Sequence, residues 1–108
     1  MRKYRNVPTV TDDGIWHPSR RQAKRWEELK LLQSAGHIVN LRREVAYKLC
    51  VNGYLIATYR ADHVYGWKNG QIEASGEVVE DSKGIRTPIF NLKAKLMKAI
   101  YGIEVKLV

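Results

Sequence analysis

The sequence has a single cysteine, Cys50, three prolines and one phenylalanine in 108 residues. One thiol forms no intrachain disulfide and cannot furnish a cysteine-rich zinc site, so a reducing cytoplasm is the expected setting. No apolar run approaches the roughly 18 residues that span a bilayer. The basic start Met1-Arg2-Lys3-Tyr4-Arg5-Asn6 leads into no apolar signal segment, so neither membrane insertion nor secretion is expected. Repeats, low-complexity stretches and long linkers are also missing. Acids are scarce: 11 Asp and Glu stand against 19 Lys and Arg, which leaves +8 at pH 7. On 12.5 kDa, with a pI of 9.8, that excess points to a polyanionic partner rather than a small-molecule substrate. The length admits one modest core, hence one domain over residues 1–108.

Common catalytic signatures are absent as well. There is no G-x-S-x-G, no H-E-x-x-H, no Walker A loop and no G-x-G-x-x-G. His17, His37 and His63 are too scattered for a ligand set and read as surface or turn residues.

What is present reads as an α/β or α+β chain. Residues 1–18 look like an extended arm, turned at Asp12-Asp13-Gly14 and lying against the body. Ser19-Arg20-Arg21-Gln22 fits a capping box, and Ala23, Trp26, Leu29 and Leu32 follow at helical spacing up to a stop at Gly36. Val45, Tyr47, Leu49 and Val51 alternate as one strand face, and Asn52-Gly53 turns the chain back. Tyr54 to Tyr65 reads as the returning strand, with Leu55 to Tyr59 as its buried part, and a third strand falls within Gln71 to Lys83. Pro88 opens a second helix that Gly102 ends, and Ile103, Val105 and Leu107 alternate as a last strand beside an earlier one. The expected core is a mixed sheet of about four strands flanked by two helices.

Four of the acids, Glu73, Glu77, Glu80 and Asp81, fall close together. For Glu73 and Glu77 a solvated edge strand explains them. Asp81-Ser82-Lys83 differs, because residues two apart on a strand share a face and set a carboxylate beside an ammonium. That pair suits metal-assisted phosphodiester hydrolysis: the carboxylate holds Mg²⁺ and the ammonium lowers the cost of negative charge. Glu28-Leu29-Lys30 and Glu104-Val105-Lys106 match the same triplet, so the triplet alone decides nothing. Asp81 is set apart by Val78-Val79 before it, Gly84 after it, and Asp62 on the neighbouring strand as a second ligand. The plain alternative for Asp62 is a carboxylate paired with Arg60 or capping a backbone group.

The cations are unevenly placed. Arg20, Arg21, Lys24 and Arg25 crowd the start of the first helix, where the macrodipole disfavours them. Lys83, Arg86, Lys93, Lys95 and Lys98 follow one another with no acid among them. Phosphate contacts account for both sets, whereas a solvated helix face accounts for Lys98 and poorly for Arg20 to Arg25.

This order of elements, with an acid on the second strand and an acid-x-Lys ending the third, resembles the PD-(D/E)XK nuclease superfamily through Asp62, Asp81 and Lys83. More closely, the chain resembles a small phage and prophage family placed in that superfamily. The shared phrases are Lys3-Tyr4-Arg5-Asn6, Asp13-Gly14, Glu28-Leu29-Lys30-Leu31-Leu32, Tyr59-Arg60-Ala61-Asp62, Glu80-Asp81-Ser82-Lys83-Gly84 with Thr87, and Lys93-Ala94-Lys95-Leu96. The resemblance implies a restriction-endonuclease-like core. It also implies that Asp62, Asp81 and the Ser82 carbonyl bind Mg²⁺, with Mn²⁺ as substitute, and that Lys83 positions or activates water. Gln22 stands where that family usually has Glu; it either orients a metal-bound water or is only the partner of Ser19 in the capping box.

The reading is therefore a Mg²⁺-dependent DNA endonuclease, with branched or Holliday-junction-like DNA as substrate and the cytoplasm of a bacterial host as its place. A homodimer would let two sites cut symmetric strands. The rival is a DNA-binding or accessory protein with the same fold and weakened or lost catalysis, and the plainest alternative is an interaction protein whose charge serves solubility.

Overall fold

The structure is a computed structural model that describes residues 6–68, 76–82 and 85–108. Strands β1 (Thr9–Val10) and β2 (Trp16–His17) precede helix α1 (Arg20–Ser34), strands β3 (Ile38–Val51), β4 (Tyr54–Trp67) and β5 (Val78–Asp81), helix α2 (Pro88–Tyr101) and strand β6 (Lys106–Leu107). The chain is α+β. Its main sheet runs in the order β3-β4-β5-β6, antiparallel except for the parallel pair β5 and β6, so it is a mixed four-stranded sheet with two helices. Among the described residues no helix is long and apolar enough to cross a membrane.

Local chemistry sets the helix ends. The Ser19 hydroxyl accepts from the Gln22 amide at 3.2 Å, which satisfies one orphan donor at the start of α1. At the far end Gly36 takes φ of +84°, and His37 N–H reaches back to the Leu32 carbonyl. Thr87 caps α2 on the Phe90 amide, Pro88 occupies its first turn, and Gly102 ends it in the left-handed conformation. At the tip of the β3–β4 hairpin Asn52 and Gly53 both have positive φ, as the expected two-residue turn requires.

The arm is a short hairpin, β1 against β2, and it does lie on the body. The Asp13 carboxylate anchors it there, accepting from Trp26 Nε1 at 2.7 Å and Lys30 Nζ at 2.8 Å. His17 and His63 correct the expectation of surface histidines, since each is only 1% exposed. The reason is Trp26, whose indole lies between them with ring centroids 6.1 and 6.0 Å away.

Each helix covers its own face of the sheet. On the α1 side Leu29, Ile38, Tyr65 and Val78 form one cluster. On the α2 side Leu49, Tyr59, Ala61, Val64, Val79, Phe90, Met97 and Ile103 form the other. Tyr59 and Ala61 share that α2 face with Val64, although strict alternation would put odd and even positions on opposite faces. The alternation of β4 therefore changes at Asp62-His63. In β3 it changes at Glu44: Leu41 packs with the α1 cluster, Val45 and Tyr47 pack with the α2 cluster, and Glu44 has φ of +52°. The register pairs Arg43 with His63 and Val45 with Ala61, so Glu44 and Asp62 stand across from each other at the change.

Two further expectations are corrected. Leu55 and Ile56 are not the buried part of β4: they are 57% and 56% exposed, because no helix reaches the tip of the hairpin, and the buried residues are instead Tyr59, Ala61, His63, Val64 and Tyr65. Glu77 does not lead into a solvated edge strand. β5 lies between β4 and β6 with all four residues buried, and Glu77 is bonded to Arg42 and to the Tyr47 hydroxyl. Glu73 lies outside the described residues.

Candidate metal centre and nucleic-acid interface

The antiparallel register of β4 and β5 pairs His63 with Glu80 and Val64 with Val79, and one step further it sets Asp62 against Asp81. The two acids are tied together at the strand end, where the Ser82 amide donates to Asp62 Oδ2 at 2.7 Å. Asp81 is buried at 3% exposure, and its Oδ2 accepts from the Tyr59 hydroxyl at 2.8 Å. Burial first, and then the negative field of Asp81, push the Tyr59 phenol well above its ordinary range, so it remains a donor. The Asp81 carbonyl accepts from the Val108 amide at 3.1 Å, which closes the site on the β6 side.

The donors present fit a hard divalent cation. Mg²⁺ is usually held by one or two carboxylates, with water and substrate phosphate completing its octahedron. Asp62 and Asp81 supply two carboxylates on adjacent strands, where like charges placed opposite each other are otherwise destabilising. Beside them Ser82 Oγ is buried and has no hydrogen-bond partner among the described residues. Those residues bring no three of His, Cys, Asp and Glu into one metal-sized group, so the acid pair stands without a third such ligand.

The other anticipated site residues divide. Lys83 lies outside the described residues. At Gln22 one half of the capping box forms: its amide donates to Ser19 Oγ at 3.2 Å, and its side-chain Oε1 accepts from that same hydroxyl at 3.4 Å. Arg21, Lys24 and Arg25 line an open cleft of about 510 Å³ that reaches Ser82 and Val108, and Arg20 is exposed one residue before Arg21. Arg86 and Lys95 line a second cleft, of about 500 Å³, on the α2 side, while Lys93 is half-buried outside its lining.

Arg25 requires a correction within this basic set. Its Nε and Nη2 donate to the two oxygens of Glu80 at 2.8 and 2.6 Å, and Nη1 donates to Glu28 at 3.3 Å. Glu80 is 1% exposed and also accepts from the Tyr65 hydroxyl. A buried carboxylate on β5 thus explains a cation near the positive end of α1, with no phosphate needed. Mutual hydrogen bonding pushes the Arg25 guanidinium up from its ordinary value, so it stays charged. The other cations of this helix that line the cleft are Lys24 and Arg21, whose Nη1 donates to the Val108 carbonyl at 3.3 Å.

The fold and site together define a mixed-sheet α+β chain with acids on adjacent strands, Asp62 within β4 and Asp81 at the end of β5, and a cleft lined by Arg21, Lys24 and Arg25 that reaches Ser82. A family model described as "Protein of unknown function (DUF1064)" matches residues 1–108, and the chain belongs to that family. No curated protein and no solved structure matches it.

Proposed function

We propose that this chain is a divalent-metal-dependent DNA endonuclease of the PD-(D/E)XK type, acting in the cytoplasm on branched or Holliday-junction-like DNA in phage replication or recombination. The observation that supports the reading is the Asp62 carboxylate on the amide of Ser82, the residue after Asp81, beside a cleft lined by Arg21 and Lys24. Asp62 and Asp81 would hold Mg²⁺, or Mn²⁺ in its place. When bound, such an ion supplies Lewis-acid polarisation and an acidified water. Lys83 would orient the attacking water, and Arg20, Arg21, Lys24, Arg86, Lys93 and Lys95 would hold the phosphate backbone. With so small a surface for base edges, shape and phosphate contacts carry recognition, and a homodimer would present two sites to a two-fold junction.

The test is incubation of the intact chain with a four-way junction, a flap and a linear duplex, with and without Mg²⁺. Metal-dependent cutting of the junction that is lost in Asp81→Ala, Asp62→Ala and Lys83→Ala is the expected result. Failure to cut any of the three substrates, or undiminished cutting by the variants, overturns the proposal.

One observation favours a second reading, a DNA-binding or accessory protein with weakened catalysis: Gln22 is engaged with Ser19 and adds no charge to the acid pair. That protein would bind DNA in a salt-sensitive way that ignores metal and survives Asp62→Ala.

A further inference from the structure

We propose that Tyr59 is the positioning residue for Asp81 and sets how tightly the acid pair holds a divalent cation; this rests on reading Asp62 and Asp81 as the ligands. Each acid has its own orienting donor on Oδ2. For Asp62 it is the main-chain amide of Ser82 at 2.7 Å, and for Asp81 it is the phenol of Tyr59 at 2.8 Å. A carboxylate held by a fixed donor at one oxygen presents the other in a fixed direction, and loss of such an outer partner typically costs a metal site 10–100-fold in affinity.

The placement of Tyr59 is specific to this fold. Asp62 stands opposite Asp81, so Tyr59 lies three residues along β4 from that crossing, roughly 10 Å at the rise of a strand. Only a long side chain spans that interval. Under unbroken alternation a residue three positions away would face the other side of the sheet. The change at Asp62-His63 returns Tyr59 to the α2 face, where Val79 and, two residues on, Asp81 also project. The ring is then gripped by the core: it is 3% exposed and lies 6.3 Å from the Phe90 ring of α2. Helix, sheet irregularity and phenol thus converge on the orientation of one carboxylate.

Tyr47 provides the internal control. It sits opposite Tyr59 on β3 and donates to a different acid, Glu77, at 3.3 Å. Tyr59→Phe keeps the ring and removes only the hydroxyl, and Tyr47→Phe makes the same chemical change away from the acid pair. Calorimetric titration of MnCl₂ into the parent, Tyr59→Phe and Tyr47→Phe is expected to show Mn²⁺ binding weakened about tenfold or more in Tyr59→Phe alone. Metal-free DNA binding should be unchanged in all three. A second measurement uses the unaltered chain: the Tyr59 hydroxyl proton, identified by its contacts with its own ring, should shift in the NMR spectrum when MgCl₂ is added. If Tyr59→Phe binds Mn²⁺ as tightly as the parent, or if that proton does not move while Mg²⁺ binds, the role of Tyr59 falls and the acid pair stands. If the parent binds no divalent ion, the ligand reading falls and the role of Tyr59 falls with it.

Discussion

The Ser82 amide donates to Asp62 Oδ2 at 2.7 Å, so the acid of β4 is held by the residue that follows the acid of β5. The same contact that brings the acids together also secures the end of β5, and its two roles can be separated. Asp62→Ala removes the acceptor and is expected to cost about 1–3 kcal/mol in a denaturant melt. Asp62→Asn keeps an acceptor and should recover much of that stability while junction cutting and Mn²⁺ binding stay lost. An Asp62→Asn chain that cuts like the parent would remove Asp62 from the site.

Arg25 and Glu80 are expected to behave as a structural unit. Arg25→Met leaves Glu80 buried without its cation, a loss of roughly 3–5 kcal/mol by analogy with other broken buried pairs, and the solvent-facing side of Arg25 places it toward the lower figure. Arg25→Met with Glu80→Gln should regain most of it. Thermal melts of the two single variants and the double variant measure the coupling, and strictly additive losses would show that the pair does not act together.

Arg21 and Lys24 should show the opposite pattern. Each faces the cleft at Ser82, and replacement by Ala is expected to reduce the slope of log affinity for DNA against log salt by about 1 with little change in melting temperature. A slope that stays the same in both variants would place the phosphate path elsewhere.

His63 gives the fold a defined pH dependence. Burial lowers its pKa from 6.5 to about 4. Between those values the unfolded chain takes up a proton that the folded chain refuses, so stability is complete above about pH 6.5 and falls as pH drops toward 4. The loss is on the order of 3 kcal/mol. His63→Phe keeps a ring against Trp26 and should flatten this window in pH-dependent melts. Asp13, whose carboxyl is held below its ordinary value chiefly by Lys30, titrates in a separate and more acid window, below pH 3.8. If His63→Phe loses stability between pH 6.5 and 4 as steeply as the parent, another group governs that range.

Ser19 and Gln22 test the cap directly. Ser19→Ala is expected to cost about 1 kcal/mol, and Gln22→Ala less, with Mn²⁺ binding intact in both. Loss of Mn²⁺ binding in Gln22→Ala alone would return this residue to the metal site.

What was readable in the sequence was what neighbouring residues decide. Ser19, Gly36, Pro88 and Gly102 mark helix ends because caps and stops are satisfied within a few residues. Asn52-Gly53 marks its turn for the same reason. Burial along β4 is not legible in the same way, because apolar character at Leu55 and Ile56 says nothing about where two distant helices come to rest. The partner of Arg25 lies 55 residues away in sequence, and that of Tyr59 lies 22 away, beyond any local pattern. Asp62 and Asp81 were singled out by resemblance and by their strand context, but the Ser82 amide between them is a product of register. The spacing of Val45, Tyr47 and Leu49 marks one face and those three do pack together, but that Leu41 packs on the other side, across the positive φ of Glu44, leaves no mark in composition.

That division at Glu44 and Asp62 works like a mirror line drawn across two adjoining strands. On one side of it the odd positions of β4 look toward α2, and on the other they look toward α1. Inserting or deleting a single residue in either strand near the line would move it in that strand and leave it in place in the other, so insertions between Arg43 and Ala61 should be tolerated best in the outer hairpin, beyond Leu49 and Ala57, where the register already shifts once. The acid at the heart of the candidate site therefore stands at a place on its strand where inside and outside exchange meaning.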